Sequence, residues 1–194
     1  MGVSSSRLVV GIIAMLMAAT SYADSTFMKG WLAYQNQNYT QALELWLPLA
    51  EKGHAKTQNN VGMIYLLSQD ENQSYEKAAE WFRRAAEQGN SPAQTSLGSL
   101  YAQGLGVEQD YNLAFEWFYR AADNGYAQAQ YNLGLMYAQG LAVSQDDVKA
   151  MKWFRRAASQ GNRNAESWVT KMMKEGRGLK RVPYARDTRW SKFG

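Results

Sequence analysis

The chain repeats itself every 36 residues, and that period restricts the folds open to it more than any other feature. Eight columns recur: Gly62, Gly98 and Gly134; Tyr65, Tyr101 and Tyr137; Ala78, Ala114 and Ala150; Trp81, Trp117 and Trp153; Phe82, Phe118 and Phe154; Ala85, Ala121 and Ala157; Ala86, Ala122 and Ala158; and Gly89, Gly125 and Gly161. A unit of this length holds one supersecondary element that cannot bury its apolar face alone, so its copies must stack.

Each unit reads as two antiparallel helices. In "DYNLAFEWFYRAADNG", Ala114, Trp117, Phe118, Ala121 and Ala122 fall at i, i+3, i+4, i+7 and i+8, one apolar stripe of an α-helix. Asp110 supplies a capping oxygen at its start, and Gly125 closes its end in the left-handed conformation. Ser91 and Pro92 then read as N-cap and first residue of the next helix, with Gln94 at the capping-box position. Leu97, Gly98 and Tyr101 form that helix's packing face, where the glycine admits a close neighbour. The stretch "YAQGLGVEQD" spaces Gly104 and Gly106 like a phosphate loop, but Gln109 stands where a dinucleotide fingerprint needs its third glycine. Its near copy "YAQGLAVSQD" begins at Tyr137, so the segment is an inter-helix turn of the repeat.

The pattern L-G-x-x-Y-x-x-G-x-G-V-x-x-D, followed by A-x-x-W-F-x-x-A-A-x-x-G, resembles the Sel1-like repeat, an α/α unit related to the tetratricopeptide repeat. The third unit, Ala93 to Gln128, matches most fully, and the fourth, Ala129 to Asn164, has Ala142 in place of the second loop glycine. The second, Thr57 to Pro92, reads "LLSQDENQS" through the loop and lacks both glycines. The first has 12 residues from Gly30 to Ala42 where later units have 16, with Leu45 and Trp46 in the Trp-Phe columns. The resemblance implies an all-α solenoid of about four helix pairs over residues 24–178, capped by a final unpaired helix from Ala165 to about Lys174. A basic tail, residues 179–194, follows.

With 46% apolar and 20% charged residues the chain has the composition of a folded protein. Residues 1–23 stand apart as a secretory signal peptide: Arg7 precedes the apolar run Leu8 to Ala19, and small Ser21 and Ala23 form a cleavage site. The run has 12 residues, short of the roughly 18 that mark a membrane-spanning helix. Periplasmic or secreted localisation is therefore expected. The sequence has no cysteine, which excludes disulfides and a lipid-anchored cysteine and fits a bacterial periplasm. It also separates the chain from the disulfide-stapled secreted members of the family, so the β-lactam binding associated with them is not carried over. The net charge of +4 is uneven: residues 174–194 carry seven Lys/Arg against two acids, whereas residues 24–173 carry 13 positive and 15 negative side chains.

Candidates for catalysis are few. His54, the one histidine, falls in the turn column shared with Asn90, Tyr126 and Asn162 and reads as a solvent-facing turn residue. Nothing in the sequence assembles a nucleophile, a metal site or a cofactor site around it. The Trp and Phe columns could serve as a stacking platform for bases or sugars, yet the helical period sends them inward, where they are the bulk of what a repeat has to bury. Arg84, Arg120 and Arg156 read as solvated partners of helix carboxylates, Glu80 and Glu116 standing four residues before the first two.

By resemblance to tetratricopeptide grooves, the concave lining comes from the first helix of each unit: Phe27 and Trp31, Asn59 and Met63, Thr95 and Ser99, Tyr131 and Leu135, Ser167 and Lys171. This mixture of amides, hydroxyls and apolar groups suits an extended peptide or a partner helix. The expected function is that of an exported, non-catalytic interaction module with a protein or peptide partner and no cofactor. Two other readings stay open, a periplasmic enzyme or binder of cell-wall fragments and a structural subunit of an envelope assembly. The tail, with Tyr184, Trp190 and Phe193 among its charges, suits an anionic surface or an acidic partner; export weighs against nucleic acid. If "SYA" is the cleavage site, mass spectrometry of protein recovered from the periplasm will find Asp24 at the N-terminus, and an intact Met1 to Ala23 on membrane-bound protein will overturn that assignment.

Overall fold

A computed structural model describes residues 24–68 and 74–179. The signal-peptide assignment, the glycine-free loop of the second unit from residue 69 to 73 and the tail from Lys180 onward lie outside the described residues. Residues 24–35 form α1. There follow α2 (Tyr39–Glu51), α3 (Ala55–Leu67), α4 (Tyr75–Glu87), α5 (Ser91–Gln103), α6 (Tyr111–Asp123), α7 (Ala127–Gln139), α8 (Asp147–Ala158) and α9 (Arg163–Lys174), with no strand among the described residues. Each helix packs on the next in sequence, so the chain winds as an all-α solenoid.

The starts of the helices are fixed by local side chains. Ser74, Asp110 and Asp146 cap α4, α6 and α8, each accepting a backbone N–H from the first turn. At α5 the cap is Asn90 and not Ser91: its Oδ1 accepts the Ala93 N–H at 2.9 Å, and Ser91 is already helical. An asparagine oxygen reaches the first turn as well as a serine's does, so two adjacent cap formers compete and the earlier one wins here. Asn162 caps α9 in the same way, while His54 and Tyr126 hold the equivalent places without a side-chain cap bond. Gly89, Gly125 and Gly161 are exposed turn residues at φ +83°, +85° and +82°, so this column serves the turns and not the core. Ala142 takes the left-handed conformation that glycine holds at Gly106, φ 61° against 66°.

Within a unit the two helices meet through one aromatic ring laid on one glycine. A Cβ built on Gly62, Gly98 or Gly134 would stand 2.7, 2.8 and 2.7 Å from the rings of Phe82, Phe118 and Phe154, and in the shorter first unit Gly30 lies under Trp46 in the same way. Phe82, Phe154 and Trp46 are fully buried. The Tyr column lies beside this contact, with Tyr65 buried and Tyr101 and Tyr137 half-buried.

The Trp column is less uniform. Trp81 and Trp153 are each 8% exposed, but Trp117 is only half-buried. Tyr119 lies edge-on to Trp153 at 6.4 Å; the equivalent residue one unit earlier is Arg83, whose guanidinium donates to the Tyr101 hydroxyl at 3.1 Å. The recurring arginines stack their guanidinium groups on these indoles: Arg84 on Trp81 at 4.5 Å, Arg120 on Trp117 at 4.6 Å and Arg156 on Trp153 at 4.7 Å. Of the three, only Arg84 also pairs with a carboxylate, Glu80, among the described residues. The column is held by cation–π contact, which the i,i+4 reading of the sequence missed.

The far end is closed by a clamp. After α9, Gly176 and Gly178 at φ 66° and 69° repeat the turn of Gly104 and Gly106, and Arg177 donates Nε and Nη2 to Asp147 at 3.0 and 2.7 Å. These bonds, with the charge of Arg177, hold the Asp147 carboxyl below its ordinary range.

We expect Phe118→Ala to cost about 3–5 kcal/mol and Trp117→Ala clearly less, because only the first empties a closed site. Gly98→Ala is expected to destabilise by about 1–3 kcal/mol as the Phe118 ring is pushed away. Urea unfolding of the three variants, compared with wild type, measures the order.

Candidate functional site

The first helices of successive units lie side by side and offer the solenoid's least repetitive surface. A groove of about 460 Å³ opens between α3, α5 and α7. Asn59 and Met63 come from α3, Pro92, Thr95, Ser96 and Ser99 from α5, and Tyr126, Gln128 and Asn132 from the start of α7, with no charged side chain among them. Thr95 donates its hydroxyl to the Ser91 carbonyl at 2.9 Å and Ser99 to the Thr95 carbonyl at 3.0 Å. Each proton is thus spent on the helix, and the hydroxyl oxygens remain as acceptors. Asn132 accepts from the Gln128 amide at 3.2 Å. On the opposite wall Asn59 makes one long bond to Asn60, 3.5 Å, while its own Oδ1 and the Asn60 Nδ2 are buried without a partner. Those two atoms face the interior; toward the groove, the Asn59, Gln128 and Asn132 amides and the Thr95 and Ser99 oxygens form a polar lining of the kind that meets another chain's N–H and C=O groups.

The remaining residues expected along the concave face lie elsewhere. Tyr131 and Leu135 pack partly buried against the core of the fourth unit, Tyr131 against Phe154 at 5.9 Å. Phe27 stacks on Trp46 at 5.7 Å, and the Lys56 ammonium lies over its ring at 4.7 Å. Trp31 stacks on Tyr34 on α1 and remains exposed. Ser167 and Lys171 border a separate cleft on α9 with Thr170 and Lys174. The ten positions form one open groove over α3 and α5 with separate patches at either end.

His54 is exposed at the start of α3, and no group of histidine and carboxylate side chains able to hold a metal ion occurs among the described residues. Trp81, Trp153 and the Phe column are buried and present no stacking platform.

One column behind this face was missed at two of its positions and misread at the third: Gln94 forms no capping box, because with Asn90 as the cap it stands one residue too far along α5 and its side chain reaches the preceding helix instead. Gln58, Gln94 and Gln130, 36 residues apart, are buried and donate to the carbonyls of Ala50, Ala86 and Ala122 at 2.9, 3.1 and 3.2 Å. Each tethers a first helix to a carbonyl at the end of the preceding helix that also accepts the N–H of the turn glycine, Gly53, Gly89 or Gly125, at 3.0 Å. Gln88 and Gln160 then donate to Oε1 of Gln58 and Gln130 at 2.7 and 2.9 Å. The equivalent residue in the third unit is Asn124, one methylene shorter, and Gln94 Oε1 is buried without a partner.

The Sel1 repeat model matches residues 14–54, 55–90, 91–126 and 127–162, four consecutive units whose last three begin within a residue of α3, α5 and α7. The chain belongs to the Sel1 repeat family. Sel1 repeats are in general protein-interaction modules. Among solved structures, a protective antigen of uropathogenic Escherichia coli with an SLR fold is similar at 30% identity and a TM-score of 0.78, the match covering 86% of this chain and 37% of that one. A Sel1 repeat protein from Oxalobacter formigenes is similar at 28% identity and a TM-score of 0.72 over 79% of this chain and 63% of its own. The chain thus spans less than two thirds of either protein. The cysteine-rich protein B of Helicobacter pylori, at 20% identity and a TM-score of 0.54, covers 68% of this chain and 94% of its own and shares the fold. Compared with curated protein sequences, the chain finds no match.

Lengthening Asn124 to glutamine should supply the missing donor to Gln94. We expect Asn124→Gln to raise stability by about 0.5–1.5 kcal/mol, measured as a higher denaturation midpoint at unchanged m-value.

Proposed function

We propose that this Sel1 protein is an exported, non-catalytic adaptor that holds an extended, uncharged segment of a partner protein in the groove between α3, α5 and α7. The observation that carries the reading is the composition of that groove: amides and hydroxyls on both walls, apolar contact from Met63 and Tyr126, and no charge. Hydrogen bonds from such walls engage a peptide backbone whatever its side chains, and the two apolar residues select among segments by shape. The signal-like residues 1–23 support export, as does the similar chain described as a protective antigen, a class of protein that antibodies must reach.

Cross-linking in an envelope lysate followed by mass spectrometry identifies the partner, and calorimetry with its cross-linked segment then tests the site. Asn59→Ala combined with Asn132→Ala is expected to weaken binding by roughly 1–2 kcal/mol, about tenfold, with helicity unchanged. Affinity should alter little between 0.05 and 0.5 M salt, because the groove contributes no charge for ions to screen. Full affinity in the double variant, or a steep salt dependence, would place the contact on another face.

A further inference from the structure

A repeat protein allows one geometric position to be compared several times, and on the outer face of the second helices one such comparison changes sign. The arginines stacked on the Trp column stay constant because they hold structure. Their neighbours do not. Glu80 on α4 is Glu116 on α6 and Lys152 on α8, and Glu76 is Asn112 and then Val148 at the equivalent places. The gradient extends through the chain: residues 24–146 carry seven Lys/Arg against 13 Asp/Glu, a net −6, whereas residues 147–179 carry eight against three, a net +5. Residues 180–194 add five against one. In a solenoid, order along the chain is order in space, so the molecule is acidic over its first units and basic at its last.

The basic end also exposes apolar groups. Val148 and Leu179 are each 45% exposed and border a cleft of about 450 Å³ with Met151, Lys152 and Arg155. Val148, Lys152 and Arg155 stand at i, i+4 and i+7 on one face of α8. Neither Lys152 nor Arg155 has an ion-pair partner among the described residues, and the nearby Asp147 is already engaged by Arg177. Unpaired cations around exposed aliphatic groups describe a surface made for an interface that is anionic outside and apolar beneath.

We propose that the α8–α9 end of the solenoid docks on an anionic phospholipid surface, with Lys152 and Arg155 at the phosphates and Val148 and Leu179 entering the headgroup boundary. A nucleic acid or an acidic polypeptide would satisfy the cations and leave the two aliphatic side chains wet, whereas a lipid interface takes both. The tail supports the same partner, since Tyr184 and Trp190, interspersed with Lys and Arg, are residue types favoured at the membrane–water boundary. Docking at this end leaves the acidic first units, repelled by the same charge, pointing away from the surface with the groove open.

Flotation of the processed protein, as isolated from cells, with vesicles of phosphatidylcholine alone or with 30% phosphatidylglycerol tests the proposal. In 0.1 M salt we expect binding to the anionic vesicles, little to the neutral ones, and loss of binding in 0.5 M salt. Lys152→Glu with Arg155→Glu should lower binding at least tenfold at unchanged helicity, while Lys52→Glu with Lys56→Glu, the same reversal in the acidic half, should leave it within about twofold. Deleting residues 180–194 should weaken binding without abolishing it. Equal binding to both vesicles, absence of binding, or dependence on the tail with indifference to Lys152 and Arg155 would each overturn the proposal. So would binding of a 20-nucleotide DNA that is lost in the Lys152/Arg155 variant while vesicles go unbound, which would make the surface a nucleic-acid interface.

Discussion

Every unit of this protein depends on an aromatic ring packed directly against a glycine. With a Cβ at Gly62, Gly98 or Gly134 the Phe of the second helix would be displaced, and the two helices could not approach as they do. The first unit makes the same contact with other parts, Trp46 on Gly30, although its loop is shorter and its Trp-Phe pair reads Leu-Trp. The position one unit beyond Gly134 is Thr170, exposed on α9, and no further helix covers it among the described residues. The stack continues for as long as the glycine does. Polar side chains on the uncovered face of α9 then meet water, as the end of a solenoid requires.

This contact divides the sequence into positions that must repeat and positions free to vary. The glycine, ring, alanine, buried glutamine and indole-stacked arginine belong to the first group, and each is tied to a specific contact. The concave groove and the outer faces of α4, α6 and α8 belong to the second. That division allows one frame to carry a neutral groove on one side and a reversal of charge along the other. The two surfaces are physically independent: the groove works through hydrogen bonds at short range, and the basic end through a field that extends about a Debye length, roughly 10 Å at 0.1 M salt.

Local chemistry was read well from the sequence where one residue type has one role and less well where it has several. Asp110 caps α6 as its position implies, whereas Asn90, next to an equally plausible Ser91, caps α5. Arginine four residues after glutamate suggests an ion pair, which among the described residues forms at Arg84 and not at Arg120, whereas three residues after tryptophan both stack, because the indole excludes water from one side of the guanidinium. The glutamine column repeated as strictly as the glycines, yet a polar residue on a helix reads as surface or as a cap unless the carbonyl of the neighbouring helix that it reaches is known.

By itself the sequence determined the period, the helix pairs, the glycine–aromatic columns and the family, because each arises from spacing within one unit, and a 36-residue interval repeats that spacing wherever the units lie. Only the tertiary structure decided which surface residues meet. Asn132 and Gln128 join Thr95 across a groove while Tyr131 turns onto Phe154 in its own unit, and Trp117 stays half-buried while Tyr119 packs on Trp153. These outcomes depend on how far each unit is rotated and staggered against its neighbour, which is set by side-chain packing between units and leaves no period of its own in the sequence.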